Sequence, residues 1–166
     1  MQKTIQNVLI TGAKGNIGSV LRRGLTGCFR LRLSDVEPIS ELTSNEEQLP
    51  CDLRDFDGVL KAMEGMDAVV HLGGIPDEAA FTDLLSVNML GTHHIYEAAR
   101  LQGVKRVVFA SSNHAVGFYP IHGHIGSEVP PRPDTFYGVS KVLGEALASL
   151  YWDKFGLESV CEDWQF

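Results

Sequence analysis

A glycine-rich turn near the amino terminus most constrains how this chain can fold. It follows an apolar run at 7–10, precedes a helical pattern at 16–25 and reads Thr11-Gly12-Ala13-Lys14-Gly15-Asn16-Ile17-Gly18. Gly12 permits the tight turn, Gly15 lets the backbone approach a pyrophosphate, and Gly18 lets the helix pack on the strand. The helix N-terminus adds amide donors and a positive dipole end. This order of strand, glycine turn and helix predicts a dinucleotide-binding site.

The spacing of this turn is Gly-x-x-Gly-x-x-Gly rather than the commoner Gly-x-Gly-x-x-Gly, so an ordinary strand–helix turn is the alternative. The next predicted strand, 29–34, favours the dinucleotide because Asp35 follows it directly. A carboxylate there accepts hydrogen bonds from the adenosine ribose and repels a 2′-phosphate. Asp35 therefore predicts NAD rather than NADP, with a turn or helix-capping aspartate as the alternative.

The rest of the chain alternates between strand and helix patterns, which predicts an α/β fold with a doubly wound parallel sheet (Rossmann). We expect further strands at 49–53, 68–72 and 106–111, a sixth beginning at 157–160, and helices at 55–63, 81–100 and 137–155. The segments 37–48 and 113–136 are predicted loops. Ligands of such sheets lie at the carboxyl ends of the strands. That rim holds the glycine turn, Asp35, Asp52, Leu72–Ile75 and Ser111–His114.

Tyr137 and Lys141 lie one turn apart at the start of a predicted helix, so they share one face. A lysine ammonium stabilises a neighbouring phenolate and lowers a pKa that is otherwise about 10. Tyr137 could then take a proton from an alcohol or return one to a carbonyl. Lys141 would keep the phenol ionised and bind the nicotinamide ribose, and a serine hydroxyl would donate to the substrate oxygen. With the glycine turn, the pair predicts hydride transfer to a nicotinamide cofactor.

The composition of the chain narrows the classes of protein to which it could belong. A chain of 166 residues, 44% hydrophobic and 21% charged, is expected to form one soluble domain. Its net charge of −7 argues against nucleic-acid or acidic-membrane partners. No apolar stretch suits a membrane span, and the first strand leaves no room for a signal peptide, so we expect a cytoplasmic protein. Cys28, Cys51 and Cys161 are scattered, so neither a metal site nor a disulfide framework is predicted.

Several motifs together resemble the extended short-chain dehydrogenase/reductase family, which includes NAD-dependent epimerases and dehydratases. They occur in order as TGAKGNIG, Asp35, Cys51-Asp52-Leu53, HLGG, SSNH and YGVSK, and the resemblance covers about residues 5–160. Within that family, the uronate dehydrogenases are most similar in the stretches HLGGI, FASSNHAVGFYP, RPDTFYGVSK and LYWDKFG. The resemblance implies oxidation of the anomeric carbon of galacturonate or glucuronate with NAD.

The resemblance also implies residue roles. The catalytic residues would be Ser112, Tyr137 and Lys141, with Ser111 as the alternative serine. The sugar acid would contact Ser112, Asn113, His114 and Tyr137. The residues implied for NAD are Gly12, Lys14, Gly15, Asn16, Ile17, Gly18, Asp35, Asp52, Leu53, Leu72, Gly73, Gly74, Ser111, Tyr137 and Lys141.

Two departures from the family pattern qualify this expectation. Pro76 replaces a small polar residue that would contact the sugar. Family members also continue through further strands and a substrate-binding part that supplies a serine and an arginine. We therefore expect an NAD-binding Rossmann domain at 1–160, a divergent tail at 161–166, weak sugar-acid binding, and the fifth strand as an exposed edge.

The absence of the substrate-binding part should affect stability and association, and two other functions are compatible with the same motifs. Marginal stability is expected, or self-association into a homo-oligomer through the helices around 84–100 and 140–155. A nucleotide-sugar epimerase or dehydratase shares the glycine turn and the Tyr/Lys pair. A catalytically silent NAD-binding fragment is the third hypothesis.

Overall fold

One parallel sheet organises the chain. The computed structural model describes residues 4–120, 122 and 125–163. Within these ranges the strand order is β3-β2-β1-β4-β5-β6, and every neighbouring pair is parallel. The strands are β1 Asn7–Thr11, β2 Arg30–Ser34, β3 Glu46–Gln48, β4 Ala68–His71, β5 Arg106–Ala110 and β6 Glu158–Glu162. This topology confirms the predicted doubly wound α/β fold, with the reversal of strand order between β1 and β4.

Helices cover both faces of the sheet. They are α1 Asn16–Leu25, α2 Phe56–Met63, α3 Phe81–Asp83, α4 Leu90–Leu101 and α5 Phe136–Phe155, and a π-helical segment, Leu84–Met89, joins α3 to α4. Successive strand residues point to opposite faces. Leu9 accordingly packs in the core cluster with residues of α2, α4 and α5, whereas Val8 and Ile10 pack in the cluster beneath α1. No helix in the described ranges is long and apolar enough to cross a membrane.

The position predicted for the third strand is wrong. The strand is Glu46–Gln48, inside a predicted loop, and the chain at 49–53 contains no strand. β3 is an edge strand that pairs with β2, and such edges often carry charged residues. Glu46 forms an ion pair with Arg22 at 2.7 Å and Glu47 one with Arg32 at 2.7 Å. Because β3 consists of charged and polar residues, it lacks the apolar pattern that marks central strands.

The expectation that the fifth strand forms an exposed edge is also wrong. β6 pairs with β5 along its whole length, from Arg106–Glu158 to Ala110–Glu162, so β6 is the edge. The boundary predicted between residues 160 and 161 falls inside β6. Residues 164–166 lie outside the described residues, so the division into domain and tail stays a prediction.

Candidate active site

The glycine turn after β1 packs closely against neighbouring backbone of the chain. Gly12 has φ 66°, and a Cβ on it would lie 2.7 Å from the amide nitrogen of Gly73. A Cβ on Gly18 would lie 2.4 Å from the carbonyl oxygen of Gly12. On the solvent side, Lys14, Gly15 and Asn16 are exposed, and no side chain caps α1. No side chain therefore competes with an anion for the first-turn amides of α1, and pyrophosphate binding there stays a prediction.

Asp35 lies beside this turn, immediately after β2. One of its carboxylate oxygens accepts from the backbone N–H of Lys14 at 3.0 Å, and the other from that of Glu37 at 3.4 Å. The Lys14 ammonium contacts the Glu37 carboxylate. The carboxylate is thus held where the glycine turn and the end of β2 meet, which is the position expected for a ribose-binding residue.

The segment after β4 is joined to the same turn. The backbone N–H of Leu72 donates to the Thr11 carbonyl, and that of Gly73 donates to the Thr11 hydroxyl, each at 3.2 Å. Gly74 adopts φ 146°, a conformation that side-chain-bearing residues rarely adopt. Leu72 and Gly73 therefore lie against the glycine turn, whereas Gly74 lies against the Asn88 side chain.

The side chains of Asp52 and Leu53 are less available for contact with a nucleotide than the sequence suggests. The Asp52 carboxylate pairs with the Arg54 guanidinium at 2.5 Å, and this hydrogen bonding lowers the pKa of Asp52. Leu53 is 8% exposed and belongs to the core, where its side chain packs against Gly91 and Gly73. Contact of these two residues with a nucleotide base stays a prediction.

A cavity of about 450 Å³ opens at the carboxyl ends of β4 and β5. All of the predicted catalytic and substrate-binding residues line it, together with part of the predicted cofactor set: Ile17, Leu72, Gly74, Ser111, Ser112, Asn113, His114, Tyr137 and Lys141. A second cavity, of about 410 Å³, is lined by residues such as Arg30, Asn45 and Gly65 and contains none of the predicted site residues. The cavity at the carboxyl ends is therefore the candidate active site.

Tyr137 and Lys141 meet in this cavity, but not with the predicted effect on the phenol. Burial raises the pKa of Tyr137, hydrogen bonding with Ser112 lowers it, and the charges of Asp163 and Asp77 raise it. The Lys141 ammonium donates to the Ala110 carbonyl at 2.7 Å and lies 5.3 Å from the centre of the Tyr137 ring. The expectation that Lys141 lowers the pKa of Tyr137 is therefore wrong for this arrangement.

Lys141 is itself strongly perturbed. Burial lowers its pKa to about 8. The ammonium lies 5.1 Å from the centre of the Phe109 ring, a favourable cation–π arrangement. A lysine in such a site loses its proton far more readily than a solvated one.

The two serines after β5 have different partners. Ser111 donates to the Glu145 carboxylate at 2.5 Å. Ser112 accepts from the His114 backbone N–H at 3.2 Å and donates to the Asn113 side-chain oxygen at 3.2 Å, and its hydroxyl also lowers the pKa of the Tyr137 phenol. Ser112 is therefore the serine whose hydroxyl acts on the phenol.

Sequence reasoning missed the partner of His114. His114 Nδ1 lies 2.8 Å from the Asp134 carboxylate, and this hydrogen bond lowers the pKa of Asp134. The His114 ring also lies edge-on to the Tyr137 ring, with centroids 5.8 Å apart. Since Asp134 occupies Nδ1, Nε2 is the nitrogen left for a ligand. Asp134 directly precedes the Thr135 N-cap of α5, and an aspartate before a helix start is the signal that could have found it.

A buried histidine lies below the cavity. His71 Nδ1 is 2.7 Å from the Thr11 hydroxyl and Nε2 is 3.2 Å from the Thr92 hydroxyl. Burial, and then the charge of Lys141, lower the pKa of His71 to about 3. The ring is therefore neutral at physiological pH.

Comparisons with known proteins identify the class. Residues 8–161 match the NAD dependent epimerase/dehydratase family, and the chain belongs to this family. The match confirms the resemblance to extended short-chain dehydrogenases/reductases.

Individual relatives give a narrower comparison than the family as a whole. The chain is 48% identical to uronate dehydrogenase of Pseudomonas putida over 92% of its own length and 58% of the relative. It is 39% identical to L-arabinose 1-dehydrogenase (NAD(P)(+)) of Haloferax volcanii over 91% of its length and 63% of the relative.

A solved structure shows the same likeness. A mutant of Agrobacterium tumefaciens uronate dehydrogenase complexed with NAD superposes with a TM-score of 0.90 at 46% identity, over 94% of this chain and 59% of that one. The chain thus spans about 58% of the length of the uronate dehydrogenases that it resembles.

Proposed function

We propose that this chain carries the NAD-binding and catalytic residues of an oxidoreductase that transfers hydride from the anomeric carbon of a hexuronate, galacturonate or glucuronate, to NAD. One observation carries the proposal: Ser112, Tyr137 and Lys141 line the same cavity as Ile17 of the glycine turn. The identity of 48% to a uronate dehydrogenase supports the substrate class.

The residues of the chain suit NAD. The uncapped N-terminus of α1 offers amides to a pyrophosphate, and Asp35 offers a carboxylate to the ribose. When bound, NAD supplies the hydride acceptor. The ionised Tyr137, a phenolate, takes the proton of the anomeric hydroxyl and becomes the neutral phenol; hydrogen bonding with Ser112 favours the ionised form, and the Lys141 ammonium lies beside the ring.

The cavity is less well suited to a sugar carboxylate. Among the described residues that line it, Lys141 is the one lysine or arginine, and its ammonium donates to the Ala110 carbonyl. A carboxylate without a cationic partner binds weakly in a closed site. We therefore expect a high KM for uronates and include the neutral sugar L-arabinose in the assay, because one relative is an arabinose dehydrogenase.

The test is nicotinamide reduction, followed by absorbance, with NAD and galacturonate, glucuronate or arabinose. Replacing Tyr137 by phenylalanine should lower kcat about 100- to 10,000-fold, because the proton acceptor is lost, while calorimetry shows NAD binding within about twofold of the wild type. NAD binding without turnover of any sugar would support a silent NAD-binding chain. Absence of NAD binding would contradict the proposal.

Two further properties belong to this proposal. We infer a cytoplasmic location, which the scattered, unpaired cysteines support. We also infer self-association through α4 and α5, supported by the exposed side chains of Leu90, Leu101, Leu150 and Phe155. Light scattering of the whole chain tests it: a monomer at micromolar concentration would contradict self-association.

A further inference from the structure

A carboxylate outside the predicted site holds the start of the catalytic helix. Glu78 lies in the segment that follows β4. One of its carboxylate oxygens accepts from the backbone N–H of Tyr137 at 2.8 Å, and the other from that of Phe136 at 3.2 Å. These first-turn amides of α5 have no partner within the helix, and a negative charge at a helix N-terminus is stabilising. The Thr135 hydroxyl accepts from Gly138 at 2.8 Å and completes the cap.

A second connection joins the same segment to the carbonyl of Tyr137. The Asn88 amide oxygen accepts from the Ile75 N–H at 2.8 Å, and its nitrogen donates to the Ile75 carbonyl at 3.0 Å. That nitrogen also lies 3.3 Å from the Ser140 hydroxyl, which donates to the Tyr137 carbonyl at 2.6 Å. Both backbone polar groups of Tyr137 are thus linked to the segment 75–78.

This segment forms part of the cavity wall. Gly74, Ile75 and Pro76 line the cavity together with Tyr137. Two consecutive glycines, at 73 and 74, begin the segment and leave its backbone easy to rotate. Without an anchor at its far end, the wall could move relative to the phenol. Glu78 supplies that anchor, and the edge-on contact of the Phe81 and Phe136 rings, at 5.3 Å, lies beside it.

We propose that Glu78 is a positioning residue for Tyr137. Its carboxylate fastens the segment 73–78 to the first turn of α5 and so fixes the phenol and the Ile75–Pro76 wall in one arrangement. Glu78 is exposed and is bonded to the backbone of α5, so it acts through Tyr137 rather than on the substrate. The catalytic consequence rests on the proposed function, whereas the structural consequence does not.

The first experiment needs no turnover. Amide hydrogen exchange of the whole chain is compared for the wild type, Glu78→Gln, Glu78→Ala and the control Glu64→Ala, an exposed glutamate after α2. In Glu78→Ala, exchange in peptides covering 73–80 and 135–140 should rise about fivefold or more, because two amides lose their acceptor. Peptides from β1 and β4 should not change. Unchanged exchange at 135–140, or a rise across the whole chain, would overturn the proposal.

The second experiment measures the effect on the site. In Glu78→Ala, kcat for sugar oxidation should fall about tenfold, since small displacements of a catalytic group slow the reaction. NAD affinity should stay within about twofold, because the Glu78 carboxylate is hydrogen-bonded to the backbone of α5 and not to the glycine turn. Glu78→Asp, whose shorter arm cannot reach both amides, should give an intermediate kcat. An equal loss of NAD affinity, or an unchanged kcat, would overturn the proposal; if the wild type oxidises no sugar, hydrogen exchange alone decides it.

Discussion

Two adjacent serines in the site have different partners and therefore different roles. Ser111 and Ser112 follow β5 directly, and the family resemblance implies Ser112 as the catalytic serine, with Ser111 as the alternative. Ser111 donates to Glu145 of α5, whereas the Ser112 hydroxyl lowers the pKa of the Tyr137 phenol. Because neighbouring residues of an extended chain point in opposite directions, only one of the two can face the phenol. Local residue pattern alone does not separate two identical residues, so the preference for Ser112 comes from the family resemblance.

Replacing Ser112 by alanine should move the pH dependence of sugar oxidation. The hydrogen bond with Ser112 lowers the pKa of Tyr137, and its loss leaves burial to raise that pKa further. The ascending limb of kcat against pH should therefore shift to higher pH. Steady-state kinetics between about pH 6 and 10 measures the shift. Ser111→Ala should leave the limb in place, and an equal shift in both variants would contradict the assignment.

Replacing Asp35 by serine should relax the choice of cofactor. The carboxylate adjoins the glycine turn through Lys14, where its charge repels a 2′-phosphate. NAD affinity should fall about tenfold, and NADP affinity should rise, because a charge-assisted acceptor and a repulsive charge are both lost. Calorimetry with each dinucleotide measures the change. An NADP affinity equal to that of the wild type would show that Asp35 does not set the preference.

At the scale of elements, what can be read from sequence depends on burial. β1, β4 and β5 are continuous apolar runs because both faces of the sheet are covered, so their patterns are visible. β3 is Glu-Glu-Gln, and only its pairing with β2 makes it a strand. The contact between Glu78 and Tyr137 joins residues 59 positions apart. Local periodicity carries no information about such contacts, so these parts of the site emerge only in three dimensions.

Two glycines of α1 allow a matched test of the close packing at the turn. A Cβ on Gly18 would lie 2.4 Å from the Gly12 carbonyl oxygen, whereas a Cβ on Gly24 would meet nothing within 4 Å. Gly18→Ala should lower the free energy of unfolding by about 1–3 kcal/mol and weaken NAD binding, because α1 must move away from the turn. Gly24→Ala should raise that free energy by about 0.4–1 kcal/mol. Urea unfolding measures both changes, and similar values would contradict the packing argument.

At the scale of the whole molecule, the sheet separates two apolar clusters and carries the candidate active site at the carboxyl ends of β4 and β5. Buried polar groups lie between core and site: His71, in β4, hydrogen-bonds Thr11 of β1 and Thr92 of α4. Its ring lies 5.9 Å from that of Phe109, which in turn lies beneath the Lys141 ammonium. The stability of the fold and the charge of the site are therefore coupled through this histidine.

Burial of the neutral His71 ring predicts a loss of stability in mild acid. The pKa of His71 is about 3 in the folded chain against an ordinary value of 6.5. As the pH falls below about 6.5, the unfolded chain binds a proton at this residue before the folded chain does. The free energy of unfolding should therefore fall by up to about 1.4 kcal/mol per pH unit, and the contribution of His71 should be lost by about pH 3.

The range between pH 6 and 5 isolates this effect, because the pKa values of Glu46 and Glu97 are lowered to about 2 from an ordinary 4.5 and act at lower pH. Urea unfolding across that range should give a clear slope for the wild type. His71→Gln should remove most of the slope whatever its effect on absolute stability, because a neutral amide does not titrate. His93→Gln, at an exposed position of α4, should keep the slope. Equal slopes for the wild type and His71→Gln would show that the buried histidine does not destabilise the fold in acid.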